Sequence, residues 1–114
     1  MTNETQLWHV IVTVGGEPHD PCTTHAALLR LRQQWPFVHS LRYAEDRAEV
    51  RYWEESADIL DAASLALRLW NEHRDSAELP DWKIIGLEVV TEDTHRLREA
   101  SAPMLATSVT PRRF

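Results

Sequence analysis

The sequence predicts an α+β domain, an antiparallel four-stranded sheet with two helices packed on one of its faces, and three observations predict it. Four short segments, at 7–14, 38–44, 47–53 and 82–90, are rich in β-branched or aromatic residues and alternate with a period of two. Two segments between them, at 21–35 and 57–73, carry a 3.6-residue apolar period behind a capping residue. Their order along the chain is β-α-β-β-α-β, and right-handed crossovers turn that order into a sandwich with the first and third strands in the centre.

The first strand, LWHVIVTV, separates into an apolar set, Trp8, Val10, Val12 and Val14, and a mixed set, Leu7, His9, Ile11 and Thr13. The apolar set is expected to face the helices, and Gly15-Gly16 ends the strand. Asp20-Pro21 then reads as an N-cap followed by proline at the first helical position, and Thr24, Ala27, Leu28, Leu31 and Trp35 share one helical stripe. Pro36 closes that helix.

The next two strands read as a hairpin joined by Glu45-Asp46. A two-residue connection pairs Tyr43 with Ala48, Leu41 with Val50 and His39 with Tyr52 on the core side, and sets Arg42 opposite Glu49 on the other. Glu-Asp is not the Asn-Gly type such loops favour, and a longer loop would shift the register. Ser56 is the expected cap of the second helix, with Ile59, Leu60, Ala63, Ala66, Leu67 and Trp70 as its inner face. The fourth strand splits into Ile85, Leu87 and Val89 toward the core and Ile84, Gly86 and Glu88 away from it. The whole is the ferredoxin-like arrangement, a single domain over residues 1–91. The remainder, 92–114, has little periodicity beyond one short helical turn near Thr94, carries Pro103 and Pro111, and is expected to be a flexible or partner-ordered tail.

Composition narrows the function without fixing it. With 43% hydrophobic and 26% charged residues in 114, the chain sits near the globular average and suits one modest core. A net charge of −6 argues against binding nucleic acid, which is driven by Lys and Arg releasing counterions. The third strand, Arg47-Ala48-Glu49-Val50-Arg51-Tyr52-Trp53, lacks the stretch of the RNA-recognition version of the fold. No apolar run is long enough to span a membrane, no secretory leader opens the sequence, and the single cysteine, Cys22, forms no internal disulfide, so a cytoplasmic protein is expected. No dinucleotide fingerprint, phosphate loop or nucleophile elbow is present, and no cofactor is expected.

A sheet covered on one face presents the other to water, a ligand or a second subunit. Leu7, Ile11, Arg42, Trp53 and Ile84 are the expected contacts of a homodimer, or of another protein partner, on that open face. The same face brings together His9, Glu49, Arg51, Trp53 and Glu88, residue types that do acid-base chemistry or fix an anion, so a small barrel enzyme or ligand carrier is the alternative. Internally paired charges at an ordinary interface account for the same residues.

A second constellation, His19-x-x-Cys22-x-x-His25, spaces three residues of metal-ligand type about one helical turn apart. Structural zinc sites usually combine two separated ligand pairs, and Asp20-Pro21 is explained as a helix start alone. Cys22 near a helix N-terminus with His25 a turn away also permits an activated thiol, though no third orienting group accompanies it.

Of the five tryptophans, Trp8, Trp35 and Trp70 fall on core-facing stripes. Trp53 and Trp82 are expected at strand ends, where they either bind partners or cap the core. Stretches such as LWHVIVTV, AEVRYWEE and LALRLWNEH give the chain a pattern similar to small bacterial proteins, without a family whose activity could be carried over. An interaction or regulatory accessory module, rather than a free-standing enzyme, is the expected function.

Overall fold

The computed structural model describes residues 4–35, 37–99 and 110–114. The elements run β1 (Gln6–Gly15), α1 (Pro21–Gln34), β2 (Val38–Tyr43), β3 (Arg47–Ser56), α2 (Ile59–Ala77), β4 (Lys83–Thr91), α3 (Glu92–Glu99) and β5 (Arg112–Arg113). The α+β class is as expected, but the sheet has five strands in the order β4-β1-β3-β2-β5. It is mixed rather than antiparallel because β5 joins β2 in parallel, with Arg42 beside Arg112 and Tyr43 beside Arg113. A third helix, α3, packs against β1 and β4.

β1, β3 and β2 are interior to the sheet, with β4 and β5 at its edges. Val10, Val12 and Val14 of β1 and Ala48, Val50 and Tyr52 of β3 lie on the helix side with no exposed surface. Burying an aliphatic side chain of this size stabilises the fold by about 1.5–3 kcal/mol. α1 adds Thr24, Ala27, Leu28 and Leu31 of the expected stripe, all buried, while Trp35, its fifth residue, packs against the core partly buried.

Asp20 caps α1, its side chain accepting from the Thr23 backbone N–H at 3.0 Å and from the Thr23 hydroxyl at 3.1 Å. With Pro21 supplying a preset φ, the cap fixes where the helix begins. Asp20→Ala is expected to lower the unfolding free energy by about 1 kcal/mol, seen as a lower urea midpoint with an unchanged slope.

The hairpin keeps the expected pairs Tyr43–Ala48, Leu41–Val50 and Arg42–Glu49. Its unfavourable Glu45-Asp46 turn is held from outside, because the carbonyls of Asp46 and Glu45 accept from the N–H groups of Gly16 and His19. The register then departs from expectation. It is Val38 that pairs with Tyr52, and His39 is the extra residue of a bulge before Ser40–Arg51. The bulge turns His39 away from the core and onto the opposite face beside His9 and Trp53.

A second bulge in β4 does the same to two isoleucines. Thr13 pairs with Gly86 but Val14 pairs with Ile84, leaving Ile85 extra. Ile84 therefore packs against the core and Ile85 is 65% exposed, the reverse of the expected assignment.

α2 also differs. Its cap is Asp58, which accepts from the Asp61 N–H at 2.9 Å, while Ser56 remains the last residue of β3 and its carbonyl accepts from Trp8 Nε1. The buried residues are Ala62, Ala66, Leu69, Trp70 and Ala77, whereas Ile59, Leu60 and Leu67 face outward. Small alanines let this side of the helix approach the sheet and leave the bulkier branched residues outside. Trp82, expected at a strand end, is 1% exposed and caps the core, stacked on Trp70 at 6.2 Å and 12°.

Candidate functional site

On the face of the sheet opposite α1 and α2, four ring systems from four elements converge. His9 comes from β1, His39 from the β2 bulge, Trp53 from β3 and His95 from α3. His9 and His39 approach Nε2 to Nε2 at 2.7 Å. At that separation one ring donates and the other accepts, so the pair holds only while the accepting ring keeps a lone pair there. His95 stacks on His9 with centroids 3.9 Å apart and 29° between planes, and meets Trp53 edge-on at 4.8 Å. Trp53 meets His9 edge-on at 4.9 Å.

His9 is 1% exposed although it lies on the face expected to be bare. Burial first, then the charges of His95, His39, Arg51 and Arg98, lower its pKa to about 3. Burial and the neighbouring His95 and Arg51 also lower His39, against a smaller raising influence from Glu99. Desolvation penalises the imidazolium in both, so the pair is neutral at pH 7.

Around this cluster the charges are already matched. Arg51 Nε donates to Glu49 Oε1 at 2.7 Å, and Arg98 of α3 donates to Glu88 of β4 at 2.8 Å. His9, Glu49, Arg51, Trp53 and Glu88 thus share the face on which the sequence placed them, with Leu7 and Ile11 alternating on the same side of β1. Glu49 faces Arg42 across the ladder, yet its ion pair is with Arg51. Ile84 does not belong to this face. His39 and His95 are the residues that sequence reasoning missed. The first is placed by a bulge, and the second sits in the segment read as a tail, although its i, i+4 spacing to Glu99 was a helical signal.

The His19-Cys22-His25 constellation does not converge. His19 turns edge-on to Trp82, His25 Nδ1 bonds the Tyr43 hydroxyl at 3.3 Å, and Cys22 is exposed. Among the described residues no group of three or more His, Cys, Asp or Glu is arranged to hold a metal ion. A shallow depression lined by Pro18, Ala44, Glu45, Asp46 and Arg113 lies beside the hairpin turn, by the Gly16 end of β1. No described helix is long and apolar enough to cross a membrane.

The chain matches, over residues 7–105, the family described as domain of unknown function (DUF8830). A search of the curated proteins finds no match. Among solved structures it is similar to an acylphosphatase from Coxiella burnetii, at 11% identity over 96% of this chain and 94% of that one, with a TM-score of 0.42. That likeness is too loose to bring an activity with it.

Proposed function

Starting from a chain that belongs to the DUF8830 family, we propose a small cytoplasmic accessory module that pairs with a second copy of itself along the outer edge of β4, rather than a free-standing enzyme. The observation that carries this reading is the free edge of β4. Among the described residues β4 has a ladder on its β1 side only, whereas the other edge of the sheet is occupied at Arg42 and Tyr43 by β5. An unpaired strand offers a row of backbone donors and acceptors to another strand, and a two-fold axis lets identical edges satisfy each other.

The side chains beside that edge support docking rather than solvation. Ile85 is 65% and Leu87 38% exposed on β4, and α2, which packs on β4, leaves Leu60 73% exposed and Leu67 outward. Apolar side chains gathered beside an open edge favour a partner. α3 already covers part of the sheet face first expected to carry the contact, which moves the proposed interface from the face to the edge.

Sedimentation equilibrium over a range of micromolar concentrations tests this. The natural chain is expected to dimerise, and Leu87→Lys to weaken the association at least tenfold, about 1.4 kcal/mol, with an unchanged far-UV spectrum. A natural chain that stays monomeric throughout sinks the proposal, as does a dimer indifferent to both Leu87→Lys and Ile85→Lys.

A ligand pocket formed by His9, Glu49, Arg51, Trp53 and Glu88 is the second reading, favoured by their shared face. Its central residue is sealed beneath α3, so this reading requires the helix to move.

A further inference from the structure

We propose that α3 is a proton-sensitive cover: protonation of the His9–His39 pair releases this helix from the sheet and opens the face beneath it. The inference is independent of pairing along β4. It rests on two imidazoles, His9 and His39, beneath a weakly held element that lays a third, His95, against them.

α3 is eight residues long, none of them buried, and its one large apolar side chain, Leu97, is 75% exposed. A helix of that length does not persist unaided in water. His95 stacks on His9 and meets Trp53 edge-on, Arg98 pairs with Glu88, and the Thr91 hydroxyl accepts from the Thr94 N–H at 3.1 Å to cap the first turn. The ion pair is roughly half exposed on both sides and contributes little in water. Apolar burial does not anchor α3, so the ring contacts of His95 with His9 and Trp53 are its principal attachment.

That attachment is sensitive to charge. Adding a proton to the accepting Nε2 of the His9–His39 pair points two N–H groups at each other across 2.7 Å and ends their bond. The surroundings offer the new charge little relief. β3 contributes Arg51, already engaged with Glu49. β4 contributes Glu88, already engaged with Arg98 of α3. α3 itself contributes His95, Arg98 and Glu99, and Glu99 lies 4.0 Å from the His95 ring. Moving α3 away admits water to His9 while leaving the larger core on the other face of the sheet intact, which makes it the least costly response.

The sign follows from the direction of the shifts. His9 titrates near 3 with the cover in place and near its ordinary 6.5 once exposed. The attachment is complete above pH 6.5 and weakens as the pH falls toward 3. Through His9 alone the opening equilibrium rises roughly 20-fold between about pH 7 and pH 5, a window that precedes titration of ordinary carboxylates.

Amide hydrogen exchange of the full chain, corrected for intrinsic rates, reads this directly. Protection at residues 92–99 is expected to fall roughly 20-fold from about pH 7 to pH 5, with the β1 and β3 amides still protected. In the double variant His9→Gln, His39→Gln the 92–99 protection becomes independent of pH. Unchanged protection in the natural chain overturns the proposal, as does an equal fall in the variant, which would assign the effect to groups other than this pair. Simultaneous loss at β1 and β3 overturns it too, by making the event global. Should the double variant not fold, the His9 imidazole proton shift in the natural chain provides the check: its midpoint must coincide with that of 92–99 opening, and separate midpoints refute the coupling.

Discussion

Trp70→Ala is expected to lower the unfolding free energy by about 3–5 kcal/mol, read from urea denaturation. Trp70 has no exposed surface, lies flat against Trp82, and donates its Nε1–H to the Pro80 carbonyl at 3.0 Å. Trp82 in turn donates to the Glu17 carbonyl at 2.7 Å and crosses the space where a side chain at Gly16 would begin, 2.8 Å from an ideal Cβ. The two indoles thereby tie α2, the 78–82 loop and the β1–α1 loop together. Truncating one leaves a large void, a buried carbonyl without its donor and a second indole with nothing behind it. These losses share a cause, so they should not be summed with those of a Trp82 substitution. A measured loss below about 1 kcal/mol would mean that the surrounding side chains collapse into the void.

The second large effect belongs to high pH. Tyr52 is fully buried, and its hydroxyl finds no hydrogen-bond partner among the described residues. Burial, reinforced by Glu54 on the same strand, pushes the phenol far above its ordinary 10.0, and burial raises Glu54 as well. A raised acid contributes stability that is complete below the unfolded-state value and is lost as pH rises beyond it. Above pH 10 the chain should therefore lose about 1.4 kcal/mol per pH unit through this residue. Tyr52→Phe removes that alkaline loss. At pH 7 it is expected to be neutral or stabilising by up to about 1 kcal/mol, because the hydroxyl it deletes is desolvated without compensation. Thermal unfolding of both proteins between about pH 7 and pH 11.5 provides the comparison. Parallel pH profiles would show that the phenol titrates as it does in the unfolded chain.

Much of the architecture was legible because most of the local signals agree. The β1 alternation, the Asp20-Pro21 cap and the Tyr43–Ala48 to Leu41–Val50 register all follow from short-range chemistry, and the structure has them. The two errors of facing, at His39 and at Ile84 with Ile85, are both bulges. One inserted residue reverses the side from that point on, and the composition of a strand does not mark where the insertion falls. The α2 stripe was misjudged for another reason. Apolar residues occupy more than half of its circumference, so periodicity admits several phases, and the phase with Ala62 and Ala66 prevails because it packs closer. The ring cluster was half visible: His9, Arg51 and Trp53 alternate on interior strands, whereas His39 and His95 arrive through a bulge and an amphipathic turn too short to stand out.

β1 is central in space but early in sequence, and this shapes how the fold must be reached. Its ladder partners run from Arg47 to Ser56 on one side and from Lys83 to Thr91 on the other. A ribosome completes β1 long before it has made either neighbour, so the nascent chain carries Val10, Val12 and Val14 without a sheet until the hairpin emerges and lacks the second flank until β4 follows. Contacts this distant along the chain slow the search and lengthen the exposure of a strand-forming segment. The strand that is safest in the finished protein is the one most vulnerable during its synthesis.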